Sequence, residues 1–301
     1  MSTASARTPK LGVQAATKVY QTGSGDLLAL DRCSLDVQPN EIVSIVGPSG
    51  CGKTTLLWSM SGLHRLTAGA ILLDGKEITG PRPEIGIVFQ EANLLPWRNL
   101  DANINFPFEI KGEKPDRAWI AHLLHRVGLD GFGGKFPREL SGGMQQRAAI
   151  VRALALKPSV LLMDEPFGAL DPIIRTKAQE DLLAIQKRFG TTIILVTHDM
   201  EEAVHLGDKI AVMDAGKLVQ YAKPAEILAR PASGFVETLV GASERPFRLL
   251  SLGPVRDAVE PGGAEGEAIP GEATQRDALA ELLWSGRPAL PVKGADGRLI
   301  G

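Results

Sequence analysis

The sequence predicts an α/β fold built on a mainly parallel core sheet, and three observations carry that prediction. Uninterrupted apolar runs rich in β-branched residues occur at 160–163 and 193–196, as expected of central strands covered on both faces. Stretches with helical spacing alternate with these runs. A glycine-rich loop, Gly47 to Gly52, joins a further apolar run at 42–46 directly to a helix. At 301 residues the chain has room for about two domains of ordinary size.

The elements follow in order. From residue 11 to about 80 the chain reads as short β elements, at 35–37, 41–46 and 70–73. Turn signals at Thr22-Gly23, Pro39-Asn40 and Asp74-Gly75 separate them. One helix interrupts them, from the loop at Gly47 to about Gly62. A strand is expected at 86–89. After it, Asn93, Leu94, Leu95, Pro96 and Trp97 read as an exposed loop running to Asn103, and exposed apolar clusters mark contacts, with ordinary core packing between subdomains as the other reading. Trp119, Ile120, Leu123, Leu124 and Val127 recur at helical spacing over 115–127. Ser141 suits an N-cap for a helix running to Leu156. Residues 210–213 read as another strand, and 224–228 open a terminal helix.

Lys and Arg total 33 against 35 Asp and Glu, a formal net charge of −2. Domains held to nucleic acid by bulk charge carry a basic excess, so nucleic acid is not an expected partner. A hydrophobic share of 44% with 23% charged residues excludes wholesale disorder. Two cysteines, Cys33 and Cys51, cannot make a disulfide framework or a four-ligand zinc site and point to a reducing compartment. The first eleven residues lack the apolar core of a secretory signal, and no apolar run approaches the ~20 residues of a spanning helix. A cytosolic chain is expected, tied to a membrane only through a partner.

Gly47-Pro48-Ser49-Gly50-Cys51-Gly52-Lys53-Thr54-Thr55 fits the phosphate-loop pattern G-x-x-x-x-G-K-[ST], in the strand–loop–helix context it demands. Its glycines let successive N–H groups turn inward on phosphate oxygens, and the helix N-terminus adds a positive dipole. Lys53 is expected to neutralise the β- and γ-phosphates of ATP, and Thr54 to offer its hydroxyl to Mg²⁺. The run at 160–163 ends in Asp164-Glu165. Alone, two acids there could be a solvated strand end. Paired with a phosphate loop, Asp164 is expected to hold Mg²⁺, directly or through water, and Glu165 to position and activate the attacking water.

Leu140-Ser141-Gly142-Gly143-Met144-Gln145-Gln146-Arg147, lying between the phosphate loop and the acidic strand, resembles the signature motif of ATP-binding cassette (ABC) ATPases. The other motifs of that family match in order over about 11–241. The resemblance implies a P-loop NTPase of ABC type, with an antiparallel β subdomain and a helical subdomain beside the core sheet. It implies that Tyr20 stacks on adenine and that Gln90 is the Q-loop glutamine, reaching Mg²⁺ and the reacting centre. Ala169-Leu170-Asp171 resembles the D-loop and His198 the switch histidine at the γ-phosphate or the water. It further implies a head-to-tail dimer, in which Ser141, Gly142, Gly143 and Gln145 of one copy cap ATP held by Lys53 of the other and Asp171 crosses the interface. The helix N-terminus after Ser141 is on physical grounds a second phosphate site.

The resemblance also implies partners. In ABC importers the region after Gln90 takes a coupling helix from a transmembrane permease, and Leu94-Leu95-Pro96-Trp97 looks most like the nitrate, sulfonate and taurine branch. A periplasmic or extracellular solute-binding protein would act indirectly, with the chain on the cytoplasmic face of the inner membrane. A soluble ABC ATPase outside transport is the other reading of the same motifs.

Near Gly253 the composition shifts to Gly, Pro, Glu and Ala, and 242–273 reads as a flexible linker. Residues 274–301 resemble the first half of a CBS (cystathionine-β-synthase-like) domain through Ala278, Leu279, Leu282, Ala289-Leu290-Pro291-Val292 and the stretch from Asp296 to Gly301. Such tails occur in quaternary-amine importers, the alternative substrate class. His122 and His125, at i, i+3, read as a solvated helix face rather than a metal pair. Cys51 reads as a small loop residue, and Arg147 and Arg152 as solvated or paired.

Overall fold

A computed structural model describes residues 8–300 apart from 24, 242 and 261. The first seven residues of the N-terminal stretch, Ala242 and Pro261 of the expected linker, and Gly301 of the tail lie outside the described residues.

The chain opens with two long antiparallel strands, β1 (Leu11–Thr22) and β2 (Gly25–Val37). β3 (Ile42–Val46) then leads through the glycine-rich loop into α1 (Lys53–Met60). β4 (Ala68–Leu73) pairs with β1 and β5 (Lys76–Glu77) with β4, giving an antiparallel sheet ordered β2-β1-β4-β5. A second sheet joins β3 to β6 (Ile85–Val88), β7 (Val160–Asp164), β8 (Thr192–Val196), β9 (Lys209–Asp214) and β10 (Lys217–Ala222). Its order is β10-β9-β3-β8-β7-β6, and only the β9–β10 pair is antiparallel.

Alternation along the strands explains the layers. Ile42, Leu161, Met163, Ile193 and Leu195 face one hydrophobic cluster, while Val43, Ile45, Val160, Leu162, Ile194 and Val196 face another. Each strand is buried on both faces, so the sequence shows continuous apolar runs rather than a period of two. Burying each such side chain stabilises the fold by about 1.5–3 kcal/mol. The first cluster is closed by α2 (Leu100–Lys111), α3 (Arg117–Arg126) and α4 (Gly142–Ala155), which form the helical region between β6 and β7. α5 (Pro172–Phe189) leads into β8, and α6 (Met200–Leu206) into β9.

Several elements differ from the sequence expectations. The stretch from Asn99 to Asn103 is not all loop, because α2 begins at Leu100. Asn99 caps it, accepting from the Ala102 amide at 2.8 Å, and Gly112 ends it in the left-handed region. Leu94 is buried in the core and Leu95 half-buried, while Trp97 is 71% exposed. The 224–228 helix, α7 (Pro224–Ala229), is not terminal, since α8 (Gly234–Val240) and α9 (Arg245–Leu250) follow it.

The segment 242–273, expected as a flexible linker, carries regular structure instead. Beyond α9 it holds a 3₁₀ turn at Val255–Ala258 and β11 (Ile269–Pro270). After α10 (Gln275–Ser285), β12 (Val292–Lys293) pairs parallel with β11, so a β-α-β unit bridges the expected boundary at 273/274. Composition hid this because the unit takes its order from backbone pairing and from neighbours. Arg245 donates to the Ala229 carbonyl at 2.6 Å, and Arg276 contacts Glu201 at 2.6 Å. Ala278, Leu279 and Leu282 of α10 line an open cavity of ≈ 610 Å³ with Val255, Ile269 and Leu290.

Asn103, fully buried on α2, organises the loop that presents Trp97. Its amide donates to the carbonyls of Leu95, Arg98 and Asn99 at 3.1, 2.9 and 3.0 Å, and its oxygen accepts from the Leu95 amide at 2.7 Å. Asn103→Ala removes all four bonds from a dry site, and the expected loss is about 2–4 kcal/mol by urea unfolding. A midpoint within experimental error of wild type would show that Asn103 does not hold this loop.

Candidate functional site

The carboxyl ends of β3, β8, β7 and β6 lie along one edge of the core sheet, the usual ligand edge of an open α/β sheet. β3 runs directly into the phosphate loop. A side chain at Gly47 (φ 155°) would collide with the Met213 carbonyl, and one at Gly52 (φ 101°) with the Ala29 carbonyl. Only glycine fits these two positions, so the loop is pressed against the sheet. Gly52 is the N-cap of α1 and supplies no side-chain cap, in contrast to Asn99, Ser141 and Asp171 on α2, α4 and α5. Pro48, Ser49 and Gly50 form the exposed rim, and Cys51 is buried beneath it.

Lys53 is 6% exposed, and its ammonium donates to the carbonyls of Gly47 and Pro48 at 2.8 Å each. These are neutral acceptors, so the charge is held without a carboxylate bonded to it. The Thr54 hydroxyl donates to Asp164 Oδ1 at 3.3 Å, and Thr55 continues the helix. Asp164 is 3% exposed at the end of β7. Burial pushes its carboxyl above the usual range and the adjacent Glu165 adds to this, while Thr54 and Lys53 oppose it. A buried carboxylate beside a hydroxyl is a hard-oxygen donor pair that fits Mg²⁺, so Thr54 and Asp164 suit the predicted ion.

The predicted catalytic residues converge. Glu165 Oε2 lies 3.2 Å from His198 Nδ1 and 3.5 Å from Gln90 Nε2, although the three residues come from the ends of three strands. Glu165 has φ 44°, a conformation that strains a residue with a side chain. Its amide is fixed on the Val196 carbonyl at 2.9 Å, which keeps the chain bonded to β8 through the bend. Arg175 of α5, which sequence reasoning missed, lines the same small cavity as Glu165 and His198. It donates to the Leu170 carbonyl at 3.2 Å and its Nε is buried without a partner. No local spacing in the sequence marks it; the contact is made by the fold.

The signature residues form a separate group. Ser141 caps α4, accepting from the Met144 amide at 3.3 Å, and Gly142 opens the helix. Gly143 lies beside Leu170, at a spacing where a side chain would crowd it. Gln145 donates to the Pro137 and Leu140 carbonyls, which ties it to its own loop rather than leaving it free. Asp171 caps α5, accepting from the Ile174 amide at 3.0 Å. Among the described residues, no hydrogen bond or ion pair joins Ser141, Gly142, Gly143 or Asp171 to the phosphate loop. The phosphate loop and the signature residues are therefore two separate groups on one chain.

Tyr20 lies near the end of β1, its hydroxyl 2.8 Å from His64 Nδ1. His122 stacks on Trp119 and His125 pairs with Asp130, and no metal-ligand cluster occurs among the described residues. Arg147 and Arg152 are neither free nor paired with acids. They clamp backbone carbonyls, Arg147 at Val127 and Gly143, Arg152 at Ala92 and Asn93.

The raised Asp164 carboxyl has a consequence for stability. Where the folded pKa exceeds the unfolded one, the folded state binds more protons, and stability falls as pH rises through the interval between them. Asp164→Asn removes that loss. By thermal denaturation the variant is expected to be at least as stable as wild type at pH 8, with the difference closing below the ordinary carboxylate range. A variant clearly less stable at pH 8 would contradict this reading.

Comparison with known proteins places this geometry. The family model described as ABC transporter matches residues 30–168. An uncharacterised ABC transporter ATP-binding protein of Methanocaldococcus jannaschii is 47% identical over 208 residues, covering 68% of this chain and 78% of that protein. The nitrate transport protein NasD of Klebsiella oxytoca is 44% identical over 215 residues, covering 69% and 81%. The dimeric post-hydrolysis structure of the ATP-binding cassette MJ0796 with ADP and Pi superposes with a TM-score of 0.66 at 32% identity, covering 71% and 98%. The P-loop cassette fold, the order of the motifs and these relatives agree: the chain belongs to the ABC transporter ATP-binding family.

Proposed function

We propose that this chain is the ATPase subunit of an ABC importer, hydrolysing Mg-ATP between two head-to-tail copies to drive uptake of a small solute. The observation that carries the proposal is the pair of half-sites. Gln90, Glu165 and His198 converge at the sheet edge that carries Lys53, while the Ser141 helix end belongs to a separate group on the same chain. A second copy supplies what the first lacks. The dimeric MJ0796 structure supports this arrangement.

In this reading Lys53 and the loop amides hold the phosphates, and Thr54, Asp164 and Gln90 hold Mg²⁺. Bound there, Mg²⁺ would supply charge neutralisation for the phosphates and the leaving group. Glu165, braced by His198 and Gln90, orients a water and accepts its proton. Ser141, Gly142 and Gly143 of the second copy close on the γ-phosphate, with Asp171 reaching across. Gln145 supports that loop from behind. Tyr20 stacks on the adenine.

The exposed Trp97, held out by Asn103 and Arg98, marks the face for a transmembrane permease at the cytoplasmic side of the membrane. No helix among the described residues is long and apolar enough to cross a membrane. A solute-binding protein would act through the permease. The nitrate, sulfonate and taurine class is the substrate reading we favour, supported by Leu94-Leu95-Pro96-Trp97 and by the NasD match. Relatives named for sulfate/thiosulfate and spermidine/putrescine import match at 47% and 43% identity, with the chain spanning 60% and 61% of their lengths. We read 274–301, with the preceding β11, as a CBS-like regulatory half-unit, supported by its parallel β-α-β pairing.

Glu165→Gln keeps the shape of the side chain but removes the base. The variant is expected to retain ATP, to accumulate as a dimer in size-exclusion chromatography, and to lose at least about a hundredfold in turnover. Hydrolysis at the wild-type rate would overturn the role given to Glu165.

A further inference from the structure

We propose that His64 is a positioning residue that holds the Tyr20 ring at the base end of the nucleotide site and locks it to the phosphate-loop helix. The inference rests on the reading of Tyr20 as the adenine platform. It goes beyond that reading by naming what orients the ring.

An aromatic platform on a strand outside the core sheet is useful only if its plane is fixed relative to the phosphates. β1 is not continuous with the phosphate loop, so the link has to be made by contacts across the fold. It is made between residues 17–20 and the turn after α1. The Tyr20 hydroxyl meets His64 Nδ1 at 2.8 Å. Lys18 Nζ donates to the Arg65 carbonyl at 2.8 Å, the Val19 amide to Thr67 Oγ1 at 2.9 Å, and the Thr67 amide to the Thr17 carbonyl at 2.8 Å.

His64 is the member of this strap that meets the hydroxyl of the ring. Its backbone amide returns to the Trp58 carbonyl of α1 at 3.2 Å. Its imidazole stands edge-on to Trp58, with centroids 5.0 Å apart and planes at 87°. Trp58 in turn meets Phe89, the residue before Gln90, at 6.4 Å and 74°. The hydroxyl of Tyr20 is thereby tied to the helix that carries Lys53 and Thr54. Lys18 Nζ lies 4.9 Å from the Tyr20 ring centroid, so the ammonium covers one face and leaves stacking to the other.

The chemistry of the contact is consistent. Burial and the neighbouring Lys18 charge hold the His64 pKa below its ordinary value. A neutral imidazole with its proton on Nε2 leaves Nδ1 free to accept the Tyr20 O–H. With the torsions of Tyr20 restrained by this bond, less freedom is lost when a base stacks on the ring.

The test compares two probes on the full chain, ATP and inorganic triphosphate, each titrated against a ribose-labelled fluorescent ATP. His64→Ala and Tyr20→Phe are each expected to weaken ATP by about two- to tenfold, the range of one neutral hydrogen bond. The double variant should be no weaker than either single one. His64→Asn, which keeps an acceptor near the Nδ1 position, should recover part of the loss. Inorganic triphosphate has no base and should bind all four variants as wild type. ATP affinity unchanged in His64→Ala, equal weakening of both probes, or additive single effects would each overturn the proposal. Tyr20→Ala separates the two levels: unchanged ATP affinity there sinks the stacking reading itself. A loss in Tyr20→Ala with none in His64→Ala sinks only the positioning role.

Discussion

The parallel register of β3, β8 and β7 is the constraint on which the rest of the structure depends. Ile45 lies opposite Val196, and Val196 opposite Asp164, so three strands end level with one another. That alignment brings the phosphate loop, His198 and the Asp164-Glu165 pair to one edge, although the loop lies more than a hundred residues of chain before the other two. Continuous apolar runs make the register stiff, because each strand is clamped between two hydrophobic clusters. The strain at Glu165, with φ 44°, is held by that clamp.

The same alignment explains what one chain lacks. The helix ends read as phosphate sites, α1 behind Gly52 and α4 behind Ser141, belong to different regions of the fold. α1 is left uncapped at the sheet edge, whereas α4 packs beside Leu170 and the start of α5. In the proposed reading catalysis is an intermolecular property, with ATP as the group that joins the two regions. The near-zero net charge fits, since the basic chemistry is confined to Lys53 and to helix dipoles.

Much of this was legible in the sequence, for identifiable reasons. Asp164, Glu165 and His198 sit at strand ends, where a short apolar run followed by a polar residue is a local signal, and Lys53 and Thr54 open the helix after a glycine-rich loop. Ser141 was legible as a cap, and it caps. What was not legible depends on distant contacts. Arg175 acquires its place only when α5 folds back on the sheet, and His64 meets Tyr20 across 44 residues. α2 was obscured by Pro107 within it and by the apolar run before it, although Asn99 and Gly112 mark its ends. The 242–273 segment was misread because its order comes from pairing with β12 and from the bond of Arg245 to the Ala229 carbonyl of α7, neither of which composition records.

The central claim is that the nucleotide site is completed by a second copy in head-to-tail orientation. Cross-linking between two single-cysteine-addition chains tests it most directly. In a Glu165→Gln background with both native thiols removed (Cys33→Ser, Cys51→Ser), one chain carries Ser49→Cys in the phosphate loop and the other Ser141→Cys at the α4 cap. The account predicts a disulfide-linked dimer only when the two chains are mixed and Mg-ATP is present. A dimer formed by the Ser141→Cys chain alone, or no cross-link in the mixture with Mg-ATP, would contradict it.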